Sequence, residues 1–264
     1  MAFLQDAKRI VIKVGTSTLT YDTGKTNIRR LSKLVSVISD LVNSGKEVAL
    51  VTSGAIGVGV GKLGLSERPT DTPGRQAAAT VGQCELMFIY DKLFGEYGHT
   101  VGQLLITKAD IDSDERRNNL INTFEQLFKF GAIPVVNEND SVAVDEIVFG
   151  DNDTLSANVA TLINADALVI ITDIDGLLDS NPQENPDAKL IPFVEEITDE
   201  IMSMASDSGS NRGTGGMITK LHAAKISTTA GIDTVVMCGN DPTDIYKLFD
   251  GHQIGTFFKG REKA

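Results

Sequence analysis

The sequence predicts an α/β protein, a three-layer αβα sandwich with a mainly parallel central sheet. Short runs rich in β-branched residues alternate with amphipathic stretches along most of the chain, as they do in parallel α/β proteins. Those short runs are apolar nearly throughout, which indicates strands covered by helices on both faces. With 264 residues, of which 41% are hydrophobic, the chain can bury a large core.

The first three elements show this alternation. Residues 9–14 form a β-branched run that ends at Gly15, so we predict a strand. Apolar residues then recur at spacings of three and four over 28–42, which predicts a helix that ends at Gly45. The apolar run 47–52 is predicted as the next strand.

The same patterns divide the remainder of the chain. One helix is expected to start after Asp112, because Glu115 follows three residues later in a capping pattern. Two segments, 179–188 and 205–216, are rich in turn-forming residues and are predicted as loops. The remaining helices are predicted at 75–93, 113–130, 153–163 and 216–230, and the remaining strands at 101–107, 133–137, 167–172, 234–238 and, at the edge of the sheet, 254–258.

Composition and charge exclude several classes of protein. A net charge of -12 disfavours binding to the phosphate backbone of nucleic acids. The first ten residues carry charges and lack the apolar stretch of a signal peptide, and the longest apolar run, 167–171, is too short to span a bilayer. We therefore expect a cytoplasmic protein that binds neither nucleic acid nor membranes.

The cysteines and histidines give no sign of a metal site. Cys84 and Cys238 lie far apart without metal-type spacing, and we expect both to be buried free thiols. The three histidines are also far apart in sequence, so they indicate neither metal ligation nor a nucleophile–histidine pair.

Polar residues follow four of the predicted strands. Ligands of open α/β sheets bind at the carboxyl ends of the strands, so these residues are expected to gather at one rim. They are Gly15 and Thr16, Ser53 and Gly54, residues 137–140, and Thr172 and Asp173.

Lys13 stands inside the otherwise apolar first strand, directly before this rim. A buried lysine needs an anionic partner. It can reach a bound phosphate, or it can extend to solvent from an edge strand, and its position alone favours neither.

Three other segments suit either binding or a purely structural role. Ser53 and Gly54 stand where a strand meets a helix start, which suits an anion but also an ordinary serine cap. Asp140 can accept a substrate ammonium, although polar turns of this kind are more often only solvated. Asn152 and Asp153 open a helix, where the helix dipole alone favours a carboxylate, but they can also hold a lysine or a substrate amine.

Two glycine-rich segments have different meanings. Residues 213–220 enter a helix that carries Lys220, which suits a loop that wraps phosphates, although a flexible loop before a surface helix is the alternative. The segment is not a Walker A motif, because no Gly-Lys-Ser/Thr follows at the required spacing. Residues 59–64 match the dinucleotide fingerprint by their letters, but they do not lie between a strand end and a helix start, so we reject a nicotinamide cofactor.

Together these segments resemble the glutamate 5-kinases of the amino-acid kinase family. The match is specific to the glutamate kinases, follows the family order and covers nearly the whole chain. The matching stretches are Val11-Ile-Lys-Val-Gly-Thr16, Val51-Thr-Ser-Gly-Ala-Ile56, Arg75-Gln-Ala-Ala-Ala-Thr-Val-Gly-Gln83, Asn137-Glu-Asn-Asp-Ser141, Phe149-Gly-Asp-Asn-Asp153, Ile171-Thr-Asp-Ile-Asp-Gly176 and Gly213-Thr-Gly-Gly-Met-Ile-Thr-Lys220.

The resemblance implies a role for each matching residue. Lys13 is similar to the family lysine that contacts the nucleotide phosphates, Lys220 to the one that stabilises the phosphoryl group in transfer, and Asp153 to the aspartate that orients both. The implied substrate contacts are Ser53, Gly54, Asn137, Asp140 and Asn152. The implied nucleotide site consists of Lys13, Gly15, Thr16, Thr172, Asp173, Thr214, Gly215, Gly216, Met217, Ile218, Thr219 and Lys220.

The implied activity is ATP-dependent phosphorylation of the side-chain carboxylate of L-glutamate, the first step of proline biosynthesis. Mg²⁺ would be held mainly by the ATP phosphates and not by a protein metal site. Residues 1–264 would form one kinase domain, with roughly 1–165 binding glutamate and 166–264 binding the nucleotide. The small C-terminal PUA domain of many relatives is not expected, whereas a homo-oligomer and feedback inhibition by proline are.

Two alternatives stay open on the sequence alone. The first is a sister kinase that acts on acetylglutamate, aspartate, carbamate, UMP or an isoprenoid phosphate. An anionic Asp140 suits a free amino group and disfavours an acylated or phosphorylated one. The second is a non-catalytic sensor of nucleotide or amino acid, which has less need of two lysines and Asp153 because it stabilises no transition state.

Overall fold

A computed structural model describes residues 4–21, 25–142, 151–181, 185, 187–206 and 216–262. Within them, eight strands form one sheet: β1 (Arg9–Val14), β2 (Glu47–Val51), β3 (Thr100–Ile106), β4 (Ala132–Glu138), β5 (Ala167–Thr172), β6 (Phe193–Val194), β7 (Asp233–Cys238) and β8 (Thr256–Phe258). Their order is β3-β4-β2-β1-β5-β7-β8-β6, and every neighbouring pair is parallel except β7 with β8.

Helices cover both faces of this sheet, which confirms the predicted fold class. They are α1 (Thr16–Leu19), α2 (Ile28–Asn43), α3 (Ala55–Leu63), α4 (Thr72–Gly95), α5 (Lys108–Asp112), α6 (Asp114–Lys129), α7 (Asn152–Leu162), α8 (Asp199–Ser206), α9 (Met217–Thr229) and α10 (Ile245–Phe249). Helices α2, α3, α4 and α10 pack on one face, and α6, α7, α8 and α9 on the other. None of the helices described is both long and apolar enough to cross a membrane.

The alternation of side chains along β1 places Lys13 in the interior. Ile10, Ile12 and Val14 point into the core formed with α2 and α4, whereas Val11 points into the core formed with α7 and α9. Lys13 shares the face of Val11, since side chains two residues apart lie on one face of a strand. Because β1 lies between β2 and β5, the interpretation of Lys13 as an edge-strand lysine is wrong.

The structure corrects three predictions about single elements. The edge strand is not 254–258, because β8 pairs with β7 on one side and with β6 on the other. Helix α4 starts three residues earlier than predicted, since the Asp71 side chain accepts a hydrogen bond from the Gly74 N–H at 2.8 Å and so caps the helix. Helix α6 is capped by Ser113, whereas Asp112 is the last residue of α5.

The cysteine prediction is wrong for Cys84, which is exposed, whereas Cys238 is half-buried and both thiols are free. The apolar residues around Cys84 in sequence suggest burial, but the helical period of α4 decides its position. Gly82, Gln83 and Leu86 lie on the buried face of this helix, and residue 84 falls on the opposite face.

Helices α3 and α4 touch through their backbones at two glycines. A methyl group on Gly59 would lie 1.8 Å from the carbonyl oxygen of Ala78, and one on Gly82 would lie 1.8 Å from that of Ala55. Such contacts leave no room for a side chain. The glycine at 59, which belongs to the segment that mimics a dinucleotide fingerprint, therefore serves helix packing.

We expect Gly82→Ala to lower the free energy of unfolding by about 1–3 kcal/mol or more, because the added methyl forces two rigid backbones apart. Chemical denaturation measures this. Gly95→Ala, at the end of the same helix, is the matched control, since its methyl group meets no atom within 4 Å. That control should be neutral or stabilising by up to about 1 kcal/mol. Equal stability of the two variants would contradict the proposed close packing.

Candidate functional site

The carboxyl ends of four strands bring the polar residues of the site together. β1 lies between β2 and β5, and β2 also pairs with β4, all in parallel. The segments that follow these strands therefore meet at one rim of the sheet. Helix α7 packs against both β1 and α9, so the first turns of α7 and α9 approach the same place.

The centre of the site is one carboxylate shared by two lysines. Asp153 Oδ1 lies 2.6 Å from Lys13 Nζ, and Asp153 Oδ2 lies 3.3 Å from Lys220 Nζ. The exposed fractions of Lys13, Asp153 and Lys220 are only 7%, 2% and 5%. Lys13 comes from the central strand, Asp153 from the first turn of α7 and Lys220 from the first turn of α9, so the fold itself creates the cluster.

The charges in this cluster support one another. Burial by itself would raise the pKa of Asp153, but the charges of Lys13 and Lys220, together with hydrogen bonds, outweigh it and hold that pKa below its ordinary value. The carboxylate is therefore ionised at neutral pH. Its negative charge in turn stabilises two ammonium groups in surroundings that would otherwise disfavour them.

Thr219 adds a hydroxyl to the same carboxylate. Its Oγ1 lies 2.9 Å from Asp153 Oδ2 and 2.9 Å from the carbonyl oxygen of Gly216. The single hydroxyl proton can serve one of these acceptors at a time. The sequence resemblance implies that Thr219 contacts the nucleotide, and the structure adds a link between the start of α9 and Asp153.

Asp151 lies beside the cluster as the cap of α7. Its side chain accepts a hydrogen bond from the Thr154 N–H at 2.8 Å. Burial is the main cause of a raised pKa for Asp151, and the negative charge of Asp153 raises it further.

Asn152 connects the ends of β2 and β4. Its Nδ2 lies 2.7 Å from the Thr52 carbonyl oxygen, 2.9 Å from Ser53 Oγ and 2.9 Å from Asn137 Oδ1. The two hydrogens of this NH₂ group can serve two of the three acceptors at a time. Because Asn152 directly precedes Asp153 in α7, these bonds fix the first turn of that helix against the rim. Of the predicted substrate contacts, Asn152 thus directly contacts two others, Ser53 and Asn137.

A residue that the sequence analysis did not single out continues this chain of amides. Asn137 Nδ2 donates to Gln83 Oε1 at 2.8 Å, and Asn137 Oδ1 also accepts the backbone N–H of Glu138 at 2.9 Å. Gln83 lies on the buried face of α4. Its signal in the sequence is a long polar side chain among the small residues 77–82, at the end of a stretch that matches the family.

Gly54 starts helix α3 in a conformation that favours glycine. Its φ is +91°, and no side chain caps the helix. The interpretation of Ser53 as an ordinary helix cap is therefore wrong, because Ser53 Oγ accepts from Asn152 instead. The first N–H groups of α3 lack partners within the helix, as at every helix start, and can bind an acceptor at the rim.

Asp140 lies in the turn after β4 and is half-buried. Burial raises its pKa, while the positive charges of Arg75 and Arg68 act in the opposite direction. The carboxylate of Asp140 thus lies within the field of two arginines.

The remaining predicted nucleotide contacts follow β1 and β5. The Gly15 N–H donates to the Ile171 carbonyl oxygen at 3.3 Å, and Thr16 is exposed at the start of α1. Thr172 Oγ1 donates to Asp173 Oδ1 at 3.1 Å, and Asp173 is exposed. These residues line the rim on the side of β5.

The loop before α9 is described only from Gly216 onward. Gly216 precedes the helix without a side-chain cap, Met217 is buried, and Ile218 is half-buried. The predicted contacts Thr214 and Gly215 lie outside the described residues.

The sequence is similar to those of known proteins over nearly its whole length. The model of the amino acid kinase family matches residues 8–238. A protein of Clostridium perfringens named glutamate 5-kinase is 54% identical over 263 residues, which cover 98% of each chain. One of Listeria monocytogenes with the same name is 51% identical over 264 residues, covering 98% of this chain and 96% of that one.

Several solved structures share the fold at low sequence identity. The UMP kinase of Bacillus anthracis has a TM-score of 0.64 at 17% identity, with 96% of each chain covered. The isopentenyl phosphate kinase of T. acidophilum has a TM-score of 0.66 at 19% identity, covering 96% of this chain and 100% of that one. The carbamate kinase of Giardia lamblia, bound to AMP-PNP, has a TM-score of 0.66 at 15% identity, covering 97% and 99%.

We expect Asp153→Asn to lower the free energy of unfolding by about 3–5 kcal/mol at neutral pH, because it leaves two buried ammonium groups without their counter-ion. The pKa of Asp153 is lower in the folded protein than in the unfolded chain. Its contribution is therefore complete above the unfolded pKa of about 3.9 and is lost as the pH falls through the folded pKa. Denaturation of both proteins across pH measures the difference.

The control for this variant is Asp244→Asn, which removes an ion pair at the surface between half-buried Asp244 and exposed Lys247 at 2.7 Å. A surface pair contributes at most about 1 kcal/mol, so this change should have little effect. A cost for Asp153→Asn no greater than that of the control would show that the buried cluster does not depend on its carboxylate.

Proposed function

The chain belongs to the amino acid kinase family and to its glutamate 5-kinase branch, and we propose that the cluster of Lys13, Asp153 and Lys220 is its phosphoryl-transfer centre. The reaction transfers the γ-phosphoryl group of ATP to the side-chain carboxylate of L-glutamate and yields γ-glutamyl phosphate and ADP. It is the first step of proline biosynthesis. The main support for this proposed centre is the contact of both lysines with one buried carboxylate.

The chemistry requires positive charge more than proton transfer. The attacking carboxylate of glutamate has an ordinary pKa of about 4.3, so it is ionised at neutral pH and needs no general base. Its approach to a phosphoryl group brings two anions together. Preorganised cations that face the equatorial and bridging oxygens lower this barrier, and the two lysines supply them.

Asp153 acts in this proposal as a positioning residue. Its two carboxylate oxygens hold the two lysine side chains beside one another, 2.6 Å from Lys13 Nζ and 3.3 Å from Lys220 Nζ. A phosphoryl group that enters the cleft meets cations that need no reorganisation. Thr219 restricts the same carboxylate further, because its hydroxyl contacts Asp153 Oδ2.

The two substrates approach from different parts of the chain. Residues up to about 165 provide the proposed glutamate contacts Ser53, Gly54, Asn137, Asp140 and Asn152, as parallel α/β rims commonly do. The part from about 166 onward provides most of the nucleotide contacts through the end of β5 and the start of α9. Lys13, Gly15 and Thr16 come from the first part and complete the nucleotide side.

Mg²⁺ would accompany the nucleotide. Within the described residues no three histidine, cysteine or acidic side chains gather as a metal site, and the Asp153 carboxylate is already shared by two lysines. We therefore infer that the phosphate oxygens and water supply most of its ligands, as is common for this ion. Bound in this way, Mg²⁺ offsets phosphate charge.

Three further expectations follow from the family resemblance and remain proposals. We propose that the reaction takes place in the cytoplasm, that the chain forms a homo-oligomer, and that proline inhibits it. Sedimentation of the purified chain and inhibition kinetics with proline address the last two.

The assigned acceptor is tested by a panel of acceptors in an assay of ADP release. We expect L-glutamate to support turnover, and acetylglutamate, aspartate, carbamate and UMP to give rates near background. Asp140→Asn should raise the KM for glutamate by roughly 10- to 100-fold, because it removes the anionic partner of the α-amino group, and should leave the KM for ATP nearly unchanged. Faster turnover with another acceptor would contradict the assignment.

The role of the lysines is tested by Lys220→Ala. We expect kcat to fall on the order of a hundredfold or more, with a much smaller change in the KM for glutamate, because a charge donor of the transition state is lost. Lys225→Ala is the matched control, since Lys225 is exposed on the same helix. Near-normal turnover of Lys220→Ala would refute the role, whereas a wild-type chain that binds both substrates without turnover would indicate a sensor.

A further inference from the structure

Gln83 uses only one end of its buried amide. The residue is 8% exposed, and its Oε1 accepts the hydrogen bond from Asn137 Nδ2. Its Nε2 is buried and has no hydrogen-bond partner within the described residues. An N–H donor in that position costs free energy unless an acceptor arrives, so the atom is suited to a ligand.

The direction of this amide is fixed by backbone groups. The Glu138 N–H can only donate, so the atom of Asn137 that it meets must be the oxygen Oδ1. Asn137 therefore turns its NH₂ group towards Gln83, and Gln83 must present its oxygen in return. Nε2 is left as the donor without a partner, because the opposite orientation of either amide would break these hydrogen bonds.

The backbone next to Gln83 is closely packed against helix α3. Its neighbour Gly82 lies against the backbone of Ala55 in the first turn of α3, where a methyl group would come within 1.8 Å of the carbonyl oxygen. That turn directly follows Ser53 and Gly54. Gln83 is thus held beside the proposed glutamate side of the rim by a contact of two backbones.

We propose that Gln83 is a substrate-binding residue whose Nε2 donates a hydrogen bond to the α-carboxylate of glutamate. The proposal rests on the proposed function of the site. In this proposal the Gln83 amide holds Asn137 in position and also favours an acceptor that carries a second carboxylate.

The position of Gln83 in the amide chain favours the α-carboxylate over the reacting one. The reacting carboxylate must approach Lys13 and Lys220, next to Asn152 and Asp153. Gln83 lies at the other end of this series of hydrogen-bonded amides, beyond Asn137. The loop that leads to Asp140 starts at that end. Asp140 is the proposed partner of the α-amino group, so the two groups on the α-carbon would meet neighbouring residues.

Two variants separate binding from support. Gln83→Glu keeps an oxygen that can accept from Asn137 but replaces the donor with a negative charge, whereas Gln83→Met removes both functions. We expect the KM for glutamate to rise roughly 10- to 100-fold in both, with smaller changes in kcat and in the KM for ATP. Gln126→Glu and Gln126→Met, on the exposed surface of α6, are the matched controls.

The pH profile gives a second measurement. Burial raises the pKa of a carboxyl group, so lowering the pH should protonate the new side chain of Gln83→Glu and restore a donor. We expect the KM of this variant for glutamate to fall with pH more than that of the wild type. A wild-type KM for Gln83→Glu at every pH would overturn the proposal.

Inhibition by 4-aminobutyrate tests which carboxylate of glutamate Gln83 contacts. This compound keeps the amine and the reacting carboxylate of glutamate but lacks the α-carboxylate. We expect 4-aminobutyrate to have the same inhibition constant with the wild type and with Gln83→Met. An equal loss of affinity for glutamate and for 4-aminobutyrate in Gln83→Met would overturn the assignment to the α-carboxylate. Turnover of glutamate by the wild type tests the proposed function separately. Active wild type with unchanged Gln83 variants would refute only the inference about Gln83.

Discussion

One buried carboxylate determines the arrangement of the whole site. Two lysines cannot remain charged and close together inside a protein without a counter-ion, and Asp153 provides it from the first turn of α7. The start of α7 is in turn fixed by Asn152, which bonds to the ends of β2 and β4. The cation pair, the helix start and the acceptor side of the rim therefore form one connected unit.

This unit depends on the parallel order of the central strands. Because β4, β2, β1 and β5 run in the same direction, their carboxyl ends deliver residues from distant parts of the chain to one place. Lys13 gains its burial from the same order, since a lysine on an interior strand cannot extend to solvent. Its position next to Asp153 is thus a consequence of topology and not of local sequence.

The sequence predicted much of this and missed what depends on tertiary contacts. The strand pattern and the motifs gave the fold class and the residues that meet at the rim. The position of Lys13 was open because periodicity cannot tell an interior strand from an edge strand. Cys84 was wrongly predicted to be buried, and Gln83 was given no role, because both depend on which face of α4 meets the sheet. The short strand β6 has too few residues to show a pattern.

The contact of two backbones at Gly59 and Gly82 has a consequence for how this protein could change its acceptor. Helix α3 and the middle of α4 pack there so closely that no side chain fits between their backbones. A related enzyme that selects a different acceptor acid must therefore change side chains while these two helix backbones stay in place. We expect its sequence to differ at a few polar positions and to retain both glycines.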